Sequence, residues 1–239
     1  MSSANIILNS GIAIIFMLFG SIALIVFSGK ISAAASVMVL ETESGTVSIL
    51  PMLFTGLLML LAGINTYTAA SISLEGKELW VIRSLPVSAK DVLFAKIRWQ
   101  LLITAPPLVL LSVIAGIVLK LSPFVWLTGT LAALAFVAFI AALGLRLNLK
   151  NPIFDWTNEA VPTKTGKPVM LITLPVMIGV PILMAMNAGI SVVFALIGLG
   201  NLGMILQNIL IAVVFGFFAW HETRWVGLQG AIIFDSYSA

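Results

Sequence analysis

The sequence predicts an all-α membrane protein, a polytopic bundle of about six transmembrane helices with both termini cytoplasmic. Three observations predict it. Of the 239 residues, 61% are hydrophobic and 9% are charged, and the mean hydropathy is +1.17. Apolar stretches of spanning length recur along the whole chain. Lysine and arginine gather in alternate connections between them. A soluble domain carries about a quarter charged residues, and a chain of this size folded in water keeps too much solvent-facing area to hide so apolar a composition. Lipid removes that constraint.

A spanning helix needs roughly 20 mostly apolar residues. Segments 6–27, 47–70, 99–119, 124–145, 169–186 and 190–220 meet that requirement within one transmembrane domain, 1–239. The first lacks a basic start and its apolar run exceeds a signal-peptide core, so it reads as a retained span. Lys120, Leu121 and Ser122 join the third and fourth spans, and Asn187, Ala188 and Gly189 are the expected turn between the last two. Residues 28–46 form the one sizeable outer loop. Pro106 and Pro107 interrupt the third span and Pro175 and Pro181 the fifth, where a missing N–H predicts kinks.

Orientation follows from the charges. Segment 71–98 holds Lys77, Arg83, Lys90, Lys96 and Arg98; segment 146–168 holds Arg146, Lys150, Lys164 and Lys167; the tail holds Arg224. The other side has Lys30 and Lys120. Basic connections stay cytoplasmic. Trp99, Trp126 and Trp220 fall at span ends, as interfacial anchors do. The pI near 9.4 therefore reflects topology and calls for no nucleic acid.

Catalytic and cofactor motifs do not assemble. Cysteine is absent, and His221, the one histidine, has no second histidine four residues on. Zinc hydrolysis takes three protein ligands, so no catalytic or metal-binding residue is assigned. Gly198, Gly200 and Gly203 have dinucleotide-fingerprint spacing but lie in an apolar segment, where small residues pack helices. Gly166-Lys167 is followed by Pro168 and lacks the upstream glycine of a phosphate loop. The expectation is a chain that binds no cofactor and hydrolyses no ATP itself. Asn65, Thr66, Asn201, Gln207 and Asn208 are polar groups within spans, either interhelical hydrogen-bonding groups or the lining of a pathway. The spans carry no carboxylate or cation at mid-membrane, which argues against an ion-coupled carrier.

The informative stretch is 71–97, SISLEGKELWVIRSLPVSAKDVLFAKI. Leu79 and Ile82 share a helical face with charges mostly elsewhere, the pattern of an interfacial amphipathic helix. Pro86 stops it. Ser88 and Asp91 fit the N-cap and N3 positions of a restarted helix. The result is a helix–break–helix elbow, which the residues alone read equally as a connector resting on headgroups or as a docking element.

The order E-G-K-x-x-W-x-x-x-S-L-P-V-S-x-K-x-x-L-x-A-K, from Glu75 to Lys96, resembles the coupling segment of type-2 ABC exporter permeases. Asn151 to Glu159 resembles a cytoplasmic segment of long bacterial permeases of that superfamily. The resemblance implies a permease subunit, similar to the C-terminal half of a long permease, that moves an unidentified substrate; peptides, lipids, drugs and ions stay open, and the apolar walls favour a hydrophobic or amphipathic one. It implies a separate ABC ATP-binding subunit holding ATP and Mg, a second permease half, and residence in a bacterial cytoplasmic membrane. The coupling residues it implies are Glu75, Gly76, Glu78, Trp80, Arg83, Leu85 and Pro86. Two departures stand beside it: no amphipathic helix precedes the first span, and the last outer connection is too short for re-entrant helices. The alternative is a scaffold or assembly factor that transports nothing.

Overall fold

The computed structural model describes residues 4–37, 39–42, 45–48, 50–76 and 79–237. Helix α1 (Ala4–Val26) turns through 85° into α2 (Ser28–Val37). A hairpin follows, β1 (Val39–Thr42) antiparallel to β2 (Gly45–Ser48), with Val39 opposite Ser48 and Thr42 opposite Gly45. Then come α3 (Leu50–Ile64) and α4 (Tyr67–Glu75), one span broken at Asn65 and Thr66. Short α5 (Leu79–Ser84) leads to α6 (Ala89–Val118) and α7 (Pro123–Lys150). After a π-helical turn, Val161–Thr165, the chain runs through α8 (Lys167–Leu196) and α9 (Gly200–Trp225). A second π-helical segment, Val226–Gly230, ends in α10 (Ala231–Ser236).

Five helical stretches are long and apolar enough to cross a membrane, six if the bent α1–α2 pair is one span. The chain is a multi-pass membrane protein. Its outer faces fit lipid: Phe16 and Phe19 of α1, Met177 and Ile178 of α8, and Leu210 and Phe217 of α9 are all more than half exposed. Helix α7 is the axis, packed by α3, α4, α6 and α9. Its buried face alternates small and large residues, with Ala132, Ala133, Phe136, Val137, Ile140 and Ala141 each at most 3% exposed. Small residues let helix backbones approach in lipid, where dispersion rather than water exclusion holds them. At Gly144 a Cβ would sit 2.6 Å from the Thr68 hydroxyl of α4, so glycine sets that approach.

Three expectations need correction. The turn between the last two spans is not at Asn187–Gly189; α8 runs straight through it and stops at Leu196. In an apolar segment an unwound backbone has no water to satisfy it, so loop-like composition does not end a helix there. Gly198 ends it, with φ +75, the left-handed conformation that glycine reaches without a Cβ penalty. The glycine triplet is therefore a turn and a helix start, with Gly203 packed on the Phe194 ring, rather than the interior of a span. The prolines fall inside continuous helices: α6 runs across Pro106 and Pro107, and α8 across Pro175 and Pro181. The connection 28–46, expected to be a loop, is helix α2 over Ser28–Val37 followed by the β1–β2 hairpin, a small departure from an all-α chain.

Candidate functional site

The elbow forms as the local rules require. Leu85 N–H bonds back to Ile82 O at 3.2 Å, Pro86 offers no N–H, and Ser88 caps α6 with φ −73, ψ 147. The Ser88 hydroxyl accepts from Asp91 N–H at 3.1 Å and donates to Asp91 Oδ2 at 2.6 Å. Leu79 is buried and Ile82 packs inward, while Val81, Leu85 and Val87 are exposed by 41%, 53% and 51%. One face of the elbow is seated and its tip is free. Pro86 shares the exposed tip.

Two of the expected coupling residues make contacts within the bundle. Glu75, expected to meet a partner, forms an ion pair with Lys96 of α6, whose side chain is 6% exposed. That pair ties the end of α4 to the start of α6. At Gly76 a Cβ would stand 2.3 Å from Cδ1 of Phe154, so the glycine lets an aromatic ring lie on the backbone. Glu78, and the side chains of Trp80 and Arg83, lie outside the described residues.

Phe154 belongs to the second block singled out in the sequence, and the two blocks pack together. Asn148, at the end of α7, is fully buried. Its Oδ1 accepts from Ile72 N–H at 2.7 Å and Ser73 N–H at 3.2 Å, and its Nδ2 donates to Ser73 Oγ at 2.7 Å. Ile153 N–H donates to the same hydroxyl at 3.0 Å, and Trp156 Nε1 donates to Ser73 O at 2.7 Å. Phe154 meets Tyr237 edge to face at 5.4 Å, and the Tyr237 hydroxyl donates to Leu149 O. Burial pushes that phenol up to about 12. Ile72, Leu93, Leu149, Val226 and Phe234 form one buried cluster beneath. The elbow, segment 151–156 and α10 thus make one platform at the end of the bundle that gathers Lys90, Arg98 and Lys150, the basic end.

The broken span is held as firmly. A break orphans backbone groups that a continuous helix would pair. Gln100 of α6 supplies partners: its Oε1 accepts from Thr68 N–H at 2.9 Å and Thr68 Oγ1 at 2.8 Å, and its Nε2 donates to Asn65 O at 2.8 Å. Asn65 Nδ2 donates to Thr104 Oγ1 at 2.8 Å. Asn65 and Thr66 are therefore buried parts of a helix break closed by its neighbour.

Gln207 and Asn208 lie elsewhere, in a pocket between α3, α8 and α9. The Thr55 hydroxyl donates to Asn208 Oδ1 at 3.3 Å, and Asn208 Nδ2 reaches Val125 O and Thr128 Oγ1 at 3.4 Å each. Gln207 Nε2 donates to Ser191 Oγ at 3.1 Å, and that hydroxyl lies 3.3 Å from Gln207 Oε1. Thr55, Asn187, Ser191, Gln207 and Asn208 line a cavity of about 20 Å³. An apolar groove of about 370 Å³ lies between α7, α8 and α9. Asn201 is exposed at the start of α9 and lines neither cavity.

Several residues that organise these sites were not singled out in the sequence: Gln100, Asn148, Tyr237 and the pair Arg146–Glu222. Arg146 Nη1 lies 2.7 Å from each carboxylate oxygen of Glu222, and its guanidinium stacks on Trp225 at 4.7 Å. The signal for Gln100 was present, an amide at the head of an apolar run. Glu222 was hidden because the last helix extends past the expected span end. Among the described residues no three His, Cys, Asp or Glu side chains come together as metal ligands would.

The chain matches no protein-family model, no curated protein and no solved structure.

Proposed function

We propose that this chain is the membrane-spanning permease subunit of an ATP-driven exporter in a bacterial cytoplasmic membrane. The nucleotide and its Mg sit in a separate ATP-binding subunit, and a second permease half completes the pathway. The observation that carries the reading is the elbow: a free apolar tip on a root fixed to two spanning helices. Val81, Leu85 and Val87 are exposed on the tip, while Glu75–Lys96 ties the end of α4 to α6, Gly76 packs on Phe154 of segment 151–156, and Ser88 caps α6. A flexible connector would absorb a push. A locked one passes it to the spans, which is the mechanical requirement for alternating access. The resemblance of Glu75–Lys96 to exporter coupling segments points the same way, and the packing of Phe154 on Gly76 gives the second resembling block a role in stiffening the first.

The test is purification from native membranes. The reading predicts stoichiometric recovery of an ATP-hydrolysing subunit, lost on Leu85→Ser with the chain still folded. Truncating an anchor at an interface commonly costs about 2 kcal/mol. A folded chain that reproducibly purifies with no ATP-hydrolysing partner contradicts the reading and favours a scaffold.

A further inference from the structure

Turn 119–122 joins α6 to α7 at the end of α6 remote from the elbow. It closes with two backbone bonds: Leu121 N–H to Gly116 O at 3.0 Å and Lys120 N–H to Ile117 O at 3.2 Å. That pattern takes a left-handed residue just past the helix, and glycine is the usual one. Here the residue is Lys120, at φ +52, the one non-glycine with positive φ among the described residues. A Cβ in this conformation crowds the backbone, so lysine costs stability that glycine would spare. The closing bonds are backbone to backbone and make no use of the lysine side chain. Topology does not ask for it either, because cations gather at the other end of the bundle. Lys120 is exposed, and among the described residues its ammonium has no ion-pair partner.

The Lys120 side chain does border a groove of about 470 Å³ between the ends of α6 and α7, a size that holds small ligands. The remaining walls are apolar: Val113, Ile117, Leu121, Pro123 and Trp126. Gly116 admits the Trp126 ring, since a Cβ there would stand 2.8 Å from its Cδ1. The indole N–H is satisfied by Ser112 Oγ at 2.9 Å, so the ring offers the groove carbon surface. Ile117 is 72% exposed, as a residue facing lipid is. No carboxylate lines the groove. A lysine stem lies along such a surface while its ammonium reaches headgroup level.

We infer that this groove holds an acyl chain of an anionic phospholipid whose phosphate pairs with the Lys120 ammonium. The strained lysine, its missing counterion and the apolar groove beside it then have one explanation. An uncharged lipid would leave the ammonium alone, and a soluble anion would leave the groove empty. A zwitterionic head brings its own cation to the phosphate and competes with the lysine. The site lies apart from the elbow, and the inference does not rest on the exporter reading.

The experiment places the full chain in phosphatidylcholine nanodiscs with phosphatidylglycerol carrying a diazirine in one acyl chain. Crosslinked peptides are mapped by mass spectrometry. The expected result is saturable labelling within residues 113–126. Exchanging disc phosphatidylcholine for unlabelled phosphatidylglycerol should suppress it. The preference should be about fivefold, the factor for one lysine facing anionic lipid. Inorganic phosphate should not compete. Lys120→Gly should abolish the preference at an equal or higher melting temperature, and Lys120→Arg should keep it. Lys120→Asn, which tolerates the left-handed conformation, serves if the glycine variant misfolds. A preference that survives Lys120→Gly, or labelling spread evenly over the lipid-facing helices, overturns the inference. So does inorganic phosphate competing as well as the lipid.

Discussion

Two polar regions of this bundle use the same side-chain chemistry to opposite ends. Around the helix break and the elbow root, Gln100, Asn148, Thr68 and Ser73 are at most 1% exposed and their bonds run from 2.7 to 3.2 Å, most of them at 2.7–2.9 Å. Around the pocket, Ser191, Gln207 and Asn208 make bonds of 3.1–3.4 Å about a cavity. In a membrane interior an amide left without a partner is expensive. The first region answers by bonding Gln100 and Asn148 both to backbone and to neighbouring hydroxyls, which fixes geometry. The second answers with longer bonds around a space of about 20 Å³, which fixes geometry less tightly. An amide within a span is thus not glue or pathway by type; its distances and the space beside it decide.

The comparison yields a ranked set of expected effects. The largest belongs to Glu75→Ala. It leaves the buried Lys96 ammonium unpaired, and breaking such a pair costs about 3 kcal/mol, at the low end of the buried range because Glu75 is 30% exposed. Thermal unfolding in detergent measures it, and a shift too small to resolve would mean that water already solvates Lys96. Next is Asn148→Ala, which strips partners from two backbone N–H groups and the Ser73 hydroxyl. About 2 kcal/mol or more is expected. Gln207→Leu should cost under about 1 kcal/mol, since it breaks only long bonds. Equal losses for Asn148→Ala and Gln207→Leu would erase the distinction between the two regions. Gly76→Ala falls between them, at about 1–2 kcal/mol, because its Cβ must displace the Phe154 ring. Adding Phe154→Leu should restore most of that loss, and a double-mutant cycle showing no coupling would contradict the contact.

Sequence made the local features legible and hid the distant ones. The Ser88–Asp91 cap and the stop at Pro86 depend on neighbours in the chain, and they appear as expected. The apolar spans were legible because length and hydropathy are one-dimensional properties. The last turn was misplaced because Asn187, Ala188 and Gly189 have loop composition, whereas a lipid-facing backbone keeps its helix until Gly198 turns left-handed. Glu75 looked like an outward contact, and no local pattern reveals Lys96 beneath it, 21 residues away. Asn148 reaches back 76 residues to Ile72, so its role was beyond any spacing rule. The two resembling blocks were noticed separately, and their packing through Gly76 and Phe154 was not.

The central claim is that the elbow tip receives force from an ATP-binding subunit. The chain has no cysteine, so a single cysteine at Leu85, exposed by 53%, reports on the tip alone. The direct measurement is crosslinking of Leu85→Cys in native membranes, with and without ATP and vanadate, followed by identification of the attached protein. The account predicts one dominant adduct, to a subunit that hydrolyses ATP, with a yield that changes on nucleotide trapping. A tip that labels freely with small thiol reagents yet gives no adduct to such a subunit in any nucleotide state would contradict it.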